Sequence, residues 1–460
     1  MSGSKDRFKK SVLPNGLTVV SEKYSQFRGL SIGVWVKAGT RHETVHEAGV
    51  SHFLEHMLFK GTGKRSALDI AQEVDRVGGE FNAFTAREYT CFHVYLMNRD
   101  VNLAIDILRD ILLDSKFSPE EIERERKVIL QEISMVDETP EELAFDIYFE
   151  KIFETQAGVH GLGRPILGTV SSIRKMSRKT LMDYFHHHYR PDQLVVSVVG
   201  NVSHAGLVKK LGSLTKKNWP GRPENGSRNK VPKGSQGPRG APGVKFHASD
   251  LMKVPPIQPG FWWLKRPTEQ VHLIWGVPGP TYQSKDRFAA LLLNVYLGGG
   301  MSSSLFQEIR EKHGLAYTVY SSMAPFQETG IFTVYAATSL KQVPLCLKLI
   351  EDCVVKLKKE LLTPQELSMI KENLKAGIQL SSDSVESRMI SIAKNEIIFG
   401  KYFSTGQVCE EIDRVTAEDV RRVARKLLAT DDRSILALGP APEAGFRKRL
   451  VAAGMKFLKK

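Results

Sequence analysis

The chain has 460 residues, 42% of them hydrophobic, and a formal charge of +14. That length calls for two or more domains with ordinary apolar cores, and no apolar run of about 18 residues is present to cross a bilayer as a helix. Four cysteines (Cys91, Cys346, Cys353, Cys409) without paired spacing exclude a disulfide framework, and the basic start 1–10 lacks the apolar segment of a secretory signal.

Strands are predicted at 17–20 and 30–36 from their apolar, β-branched content. The next element is the most informative. His52-Phe53-Leu54-Glu55-His56 lies in an apolar, helix-patterned run with Val50, Met57, Leu58 and Phe59, and Gly61 supplies a stop. Positions i and i+4 share one helix face, so His52 and His56 can aim two ring nitrogens at one point, and Glu55 looks toward it too. Leaving these groups unpaired on a buried helix is costly, and a cation removes that cost. Residues 78–89 then read as a strand and turn returning into a strand at 92–96; its open edge can add an extended peptide.

Ser118-Pro119-Glu120-Glu121 is a capped helix start, with Glu121 completing a capping box, and that helix runs toward Met135. Glu125 and Glu132 lie two turns apart on one of its faces. A catalytic zinc takes three protein ligands and one water, so Glu132, in its apolar setting, is assigned as third ligand beside His52 and His56. Glu125 becomes the carboxylate that orients a ligating imidazole. An acidic stretch follows, in which Glu142 and Asp146 share a helix face. His93 reads as a hydrogen-bonded core residue and His186-His187-His188 as a solvated helix end. A further strand is predicted at 194–199.

Residues 216–245 are rich in Pro, Gly and Lys and read as an extended or flexible tether, which divides the chain into 1–215, a linker 216–260, and 261–460. The last part repeats the first: strands at 271–276, 332–337 and 434–438, and Thr363-Pro364-Gln365-Glu366 opening a helix as Ser118-Pro119-Glu120-Glu121 does. The register that reaches Glu125 and Glu132 from Pro119 reaches Ile370 and Gly377 from Pro364, and the counterpart of the histidine helix reads Leu291-Leu292-Leu293-Asn294-Val295. The second half therefore carries the architecture without the metal ligands. Gly298-Gly299-Gly300 lacks the Gly-Lys-Ser/Thr of a phosphate loop.

The run His52 to Thr62, with Glu125 and Glu132 downstream, resembles the mitochondrial processing peptidase β-subunit and its prokaryotic relatives, in the wider group of pitrilysin and insulysin. The resemblance covers nearly the whole chain. It implies an α+β fold of two similar domains, each an antiparallel sheet packed with helices, and a zinc endopeptidase with one Zn2+ per chain and Glu55 as general base. It also implies that Phe59 contacts the side chain just after the scissile bond, that Asn82, Ala83 and Phe84 form the edge strand beside the metal, and that Glu142 and Asp146 receive a substrate arginine. Arg310 and Tyr317 match a pair that holds substrate and stabilises the developing oxyanion. A homodimer sharing residues in trans is expected, with a heterodimer open. Ser304 stands where relatives carry arginine.

The expectation is thus an endopeptidase for unfolded or short peptides, basic presequence-like ones among them, located in the cytoplasm, or in the mitochondrial matrix if the chain is a mature form. A non-catalytic assembly subunit is the structural alternative, against which the intact motif stands. Nucleic-acid binding, prompted by the charge, is weakest because the basic residues concentrate in the tether and no recognition motif accompanies them.

Overall fold

The structure, a computed structural model, describes residues 7–215, 253–427 and 432–452. The tether read at 216–245 lies outside the described residues. Strands β1 (Phe8–Val12), β2 (Thr18–Lys23) and β3 (Gly29–Val36) precede helix α1 (Val50–Leu58), and β4 (Glu80–Thr85) and β5 (Thr90–Met97) form the next hairpin. Then come α2 (Val101–Leu113), α3 (Pro119–Glu138), α4 (Pro140–Ile152) and β6 (Leu194–Gly200). The order recurs with β7 (Gly260–Lys265), β8 (Val271–Pro278), α5 (Arg287–Gly298), β9 (Ala316–Pro325) and β10 (Gly330–Thr338). It closes with α6 (Val343–Lys359), α7 (Pro364–Ser381), α8 (Val385–Phe399) and β11 (Ser434–Gly439). Every predicted strand is present.

The fold is α+β with antiparallel-rich sheets. One sheet has the order β1-β2-β6-β3-β5-β4 and the other β9-β10-β8-β11-β7. Read from its far end, the second repeats the first without β1. Each sheet also contains one parallel pair, β2 with β6 and β7 with β11, at equivalent places. The antiparallel expectation misses these because period-two patterning reports burial and says nothing of strand direction.

The compact units interleave in the chain. One comprises 1–134, 155–254 and 381–404, the other 135–154, 255–380 and 405–460. Helices α4 and α8, which occupy equivalent places in the repeat, are therefore exchanged: each covers the sheet of the other half.

In the first unit one sheet face packs on α1 and α2, in a core that includes Ile32, Val34, Phe53, Leu54, Phe92 and Ile107. The opposite face, with Trp35, Val195 and Val199, is covered by Val385, Met389, Ile392 and Ala393 of α8. At its rim Arg388 donates from Nε to Glu22 at 2.9 Å, and Tyr402 donates to the same carboxylate at 2.6 Å. In the second unit α4 packs Tyr148 onto the sheet, its hydroxyl 2.7 Å from Ser434 Oγ. Gly276 makes that approach possible, since a Cβ there would lie 1.9 Å from the Tyr148 hydroxyl. Both sheets need a second apolar layer, and a single long helix supplies it in each case.

Candidate metal centre

Helix α1 starts from Gly49, whose φ of 88° is left-handed and open to glycine at little cost. The buried Glu43 carboxylate takes the place of a capping side chain, accepting from the backbone N–H of Gly49 (2.8 Å) and Ser51 (2.9 Å). Burial pushes the Glu43 carboxyl up to about 7, against the pull of those donors. The apolar stripe Val50, Phe53, Leu54, Met57 and Leu58 is buried, worth about 1.5–3 kcal/mol per large side chain, and this anchors the opposite face. The helix ends at Phe59, before the glycine stop expected from the sequence.

On its less buried face stand His52, Glu55 and His56. The two imidazoles are 4.6 Å apart between ring centroids. Helix α3 brings Glu132 to them: its Oε2 lies 3.8 Å from His52 Nε2 and 3.5 Å from His56 Nε2. One ligand atom from each residue fits within 4.8 Å of the other two, the only such grouping among the described residues. Tetrahedral coordination at zinc distances places neighbouring donor atoms about 3.3 Å apart, so the cluster is close to that spacing. Glu132 Oε2 is buried without a hydrogen-bond partner, as is His52 Nδ1. A carboxylate oxygen left unbonded opposite two imidazole nitrogens fits a cation and leaves little reason for any other arrangement.

The ionisation states agree with that fit. Burial, with His56 alongside, holds His52 down to about 3, so it is a neutral imidazole with a lone pair to offer. For His56, burial again pulls downward, but Glu125, Glu132 and Glu55 outweigh it and hold the imidazole above its ordinary value. Its Nδ1 is 3.0 Å from the buried Glu125, which can only accept, so the proton sits on Nδ1 and the Nε2 lone pair faces Glu132. Lys60 binds the other Glu125 oxygen at 2.9 Å. Burial opposes ionisation of Glu125, but His56 and Lys60 overcome it and hold its carboxyl below the usual range.

Glu55 is fixed from the sheet: Thr85, the last residue of β4, donates its hydroxyl to Glu55 Oε2 at 2.5 Å. Burial raises the Glu55 carboxyl, the Thr85 donor and His56 oppose the rise, and Glu132 adds to it. Thr85 and Lys60 are contributors that sequence reasoning did not single out. Lys60 sits one turn beyond His56 and was legible from that spacing, whereas no periodicity links Thr85 to Glu55.

The remaining expected residues are distributed as follows. Phe59 packs on Phe81 of β4, centroids 4.4 Å apart. Strand β4 is at the sheet edge. There Ala83 leans on the core under α1, while Phe84 turns to the other face against Trp35 (5.5 Å). Asn82 is exposed and its side-chain oxygen takes the Ala83 N–H at 2.8 Å. Glu142, exposed, and Asp146 lie on α4 and so belong to the second unit. Arg310 and Tyr317 are brought together there: the guanidinium lies 4.4 Å from the Tyr317 ring centre and donates to its carbonyl at 2.8 Å. Arg310 sits in a π-helical turn, and a register shift at the start of β9 turns Tyr317 outward, 74% exposed. His93 is buried and pairs with Glu386 at 3.3 Å. His188 is less solvated than expected, its ring 4.3 Å from that of Tyr184, while His186 and His187 are exposed.

Residues 18–170 match the family model described as insulinase (peptidase family M16), and residues 175–374 match that of the peptidase M16 inactive domain. A Bacillus subtilis (strain 168) protein named an uncharacterized zinc protease is 35% identical over 94% of this chain and 98% of its own length. A Mycobacterium leprae protein of the same name is 37% identical over 91% of this chain and 89% of its own. Among solved structures, a protease from Helicobacter pylori has the same fold, with a TM-score of 0.81 over 94% of this chain and 99% of that one at 22% identity.

Proposed function

The chain belongs to peptidase family M16, the insulinase group of zinc peptidases, and from that premise we propose that it is an endopeptidase for unfolded or short peptides, working at the His52–Glu55–His56–Glu132 cluster. The observation that carries the reading is the unbonded Glu132 oxygen facing two imidazole nitrogens of neutral or oriented tautomer. His52, His56 and Glu132 would hold one Zn2+ per chain. Bound there, such an ion acidifies water and polarises a scissile carbonyl.

The protein's own groups do the rest. Glu55, its carboxylate steadied by the Thr85 donor and its affinity for a proton raised by burial, takes a proton from the attacking water and delivers it to the departing amine. Glu125 keeps the His56 proton on Nδ1. The open edge of β4 accepts an extended peptide as an added strand through Asn82, Ala83 and Phe84, a mode that reads backbone and excludes folded chains. Phe59 contacts the residue after the cut, Glu142 and Asp146 favour basic, presequence-like peptides, and Arg310 with Tyr317 holds the substrate and stabilises its oxyanion. Two such chains, or one with a different partner subunit, would combine these parts. Glu55→Gln should retain metal by elemental analysis and lose cleavage of a fluorogenic peptide; undiminished turnover would overturn the assignment.

A further inference from the structure

The Thr85–Glu55 hydrogen bond joins a sheet edge to a helix, so its length depends on what spaces the two. The segment 37–43, between β3 and α1, reaches both. At one end it lies along the turn that follows Thr85. Thr85 pairs with Thr90 across the β4–β5 hairpin, and the Ala86 N–H closes the turn on the Tyr89 carbonyl at 2.8 Å. Thr90 Oγ1 donates to the Ala38 carbonyl at 3.0 Å, and the Arg41 N–H to the Arg87 carbonyl at 2.9 Å. Gly39 lets the two backbones touch, since a Cβ there would lie 2.0 Å from the Ala86 oxygen. Within this contact Arg41 Nη1 donates to Glu88 Oε1 at 2.6 Å, with side chains 6% and 4% exposed.

At its other end the segment reaches Glu43, whose carboxylate holds the Gly49 and Ser51 N–H groups, the latter one turn before Glu55. It is braced from behind. Thr40 Oγ1 donates to the Gly161 carbonyl at 3.2 Å, Arg87 Nε to the Leu162 carbonyl at 2.8 Å, and Arg164 to the Glu43 carbonyl. Residue 41 thus grips the turn beside Thr85, and residue 43 grips the helix that carries Glu55. Stability alone does not call for an ion pair here, because apolar side chains of like volume fill such a space as well. What the pair adds is direction: a charge-assisted hydrogen bond is short and orients both partners, whereas apolar contact lets them slide. Proton transfer is sensitive to such sliding, since a displacement of about 1 Å can cost about 100-fold in rate.

We propose that Arg41 and Glu88 are positioning residues for proton transfer by Glu55. They lock the β4–β5 turn onto the segment 37–43 and so keep the Thr85 hydroxyl on the Glu55 carboxylate. That Thr85 matters to turnover rests on the peptidase reading above; that the pair places Thr85 rests on the contacts of the turn.

The test uses the full chain and replaces both charges together, Arg41→Met with Glu88→Leu, so that neither is stranded. Glu88→Gln, which keeps the shape and an acceptor, serves the same comparison if that exchange does not fold. Cleavage of a fluorogenic peptide should show kcat lowered about fivefold, with KM and bound zinc within about twofold of the parent. Arg41→Lys retains a cationic donor and should keep more than about half of kcat. In a Thr85→Val background the exchange should lower kcat by less than about twofold, because the group it positions is already gone. A larger further loss in that background, an unaltered kcat in the folded exchange variant, or a drop in bound zinc matching the loss of kcat would each overturn the proposal. A second readout needs neither metal nor cleavage. With threonine labelled at the 13C γ-methyl, and the Thr85 signal assigned by Thr85→Val, the exchange should shift that signal and leave that of Thr180, on a separate helix, in place. An unmoved Thr85 signal would refute the placement, whereas a parent chain that cleaves nothing would remove only the peptidase reading and the effect on kcat.

Discussion

The His56–Glu125–Lys60 chain shows how a few atoms set a ligand's readiness. Glu125 is buried, bonded on one oxygen to His56 and on the other to Lys60, so it both picks the imidazole tautomer and holds the ring still. Glu125→Ala should weaken metal affinity by about 10–100-fold, measured by chelator competition, with the fold retained. Thr85 acts on the other carboxylate. Thr85→Val keeps the shape and removes the donor to Glu55, so kcat should fall about tenfold at unaltered metal content, and Thr85→Ser should restore most of it. Equal kcat in the valine and serine variants would reduce Thr85 to packing. His52, Glu55 and His56 were legible as a group because one helix carries all three. Glu132 was legible because a carboxylate among Val128, Ile129, Leu130 and Ile133 demands a partner. Thr85 was not, since its contact depends on where a sheet edge passes a helix.

Between elements, the edge of β4 is the place to look. The Ala83 N–H is bonded to the side chain of its own neighbour, Asn82, so that donor stands ready for exchange with an incoming strand. Ala83→Pro removes it, and proline is tolerated on an edge strand. KM for unfolded peptides should rise about tenfold from the loss of one backbone bond, read from initial rates over a substrate series, with the thermal midpoint within a few degrees of the parent. The capped helix starts illustrate partial legibility. Thr363 and Glu366 form the full reciprocal box, with Thr363 N–H to Glu366 at 2.8 Å. At the first site Glu121 N–H bonds Ser118 Oγ at 3.3 Å, but the Glu121 carboxylate is occupied by Arg124. The competing arginine, one turn on, is visible in the sequence; which partner wins is decided by geometry.

For the molecule as a whole, the exchange of α4 and α8 is the organising fact, because each half of the chain completes its sheet with a helix from the other. The Glu22–Arg388 pair is part of that arrangement, with side chains 2% and 5% exposed. Arg388→Met strands a buried carboxylate and should cost about 3–5 kcal/mol in denaturant unfolding. A loss under 1 kcal/mol would mean that Tyr402 alone satisfies Glu22. By itself the sequence determined the two-fold repeat, the strands, the helices and the half that bears ionisable ligands, since all of these are written in local periodicity and in residue types a few positions apart. Only the tertiary structure decided which sheet each long helix covers, where a parallel pair enters, and which hydroxyl reaches Glu55. Those outcomes depend on complementary surfaces separated by many residues, and local patterning carries no record of which surface meets which.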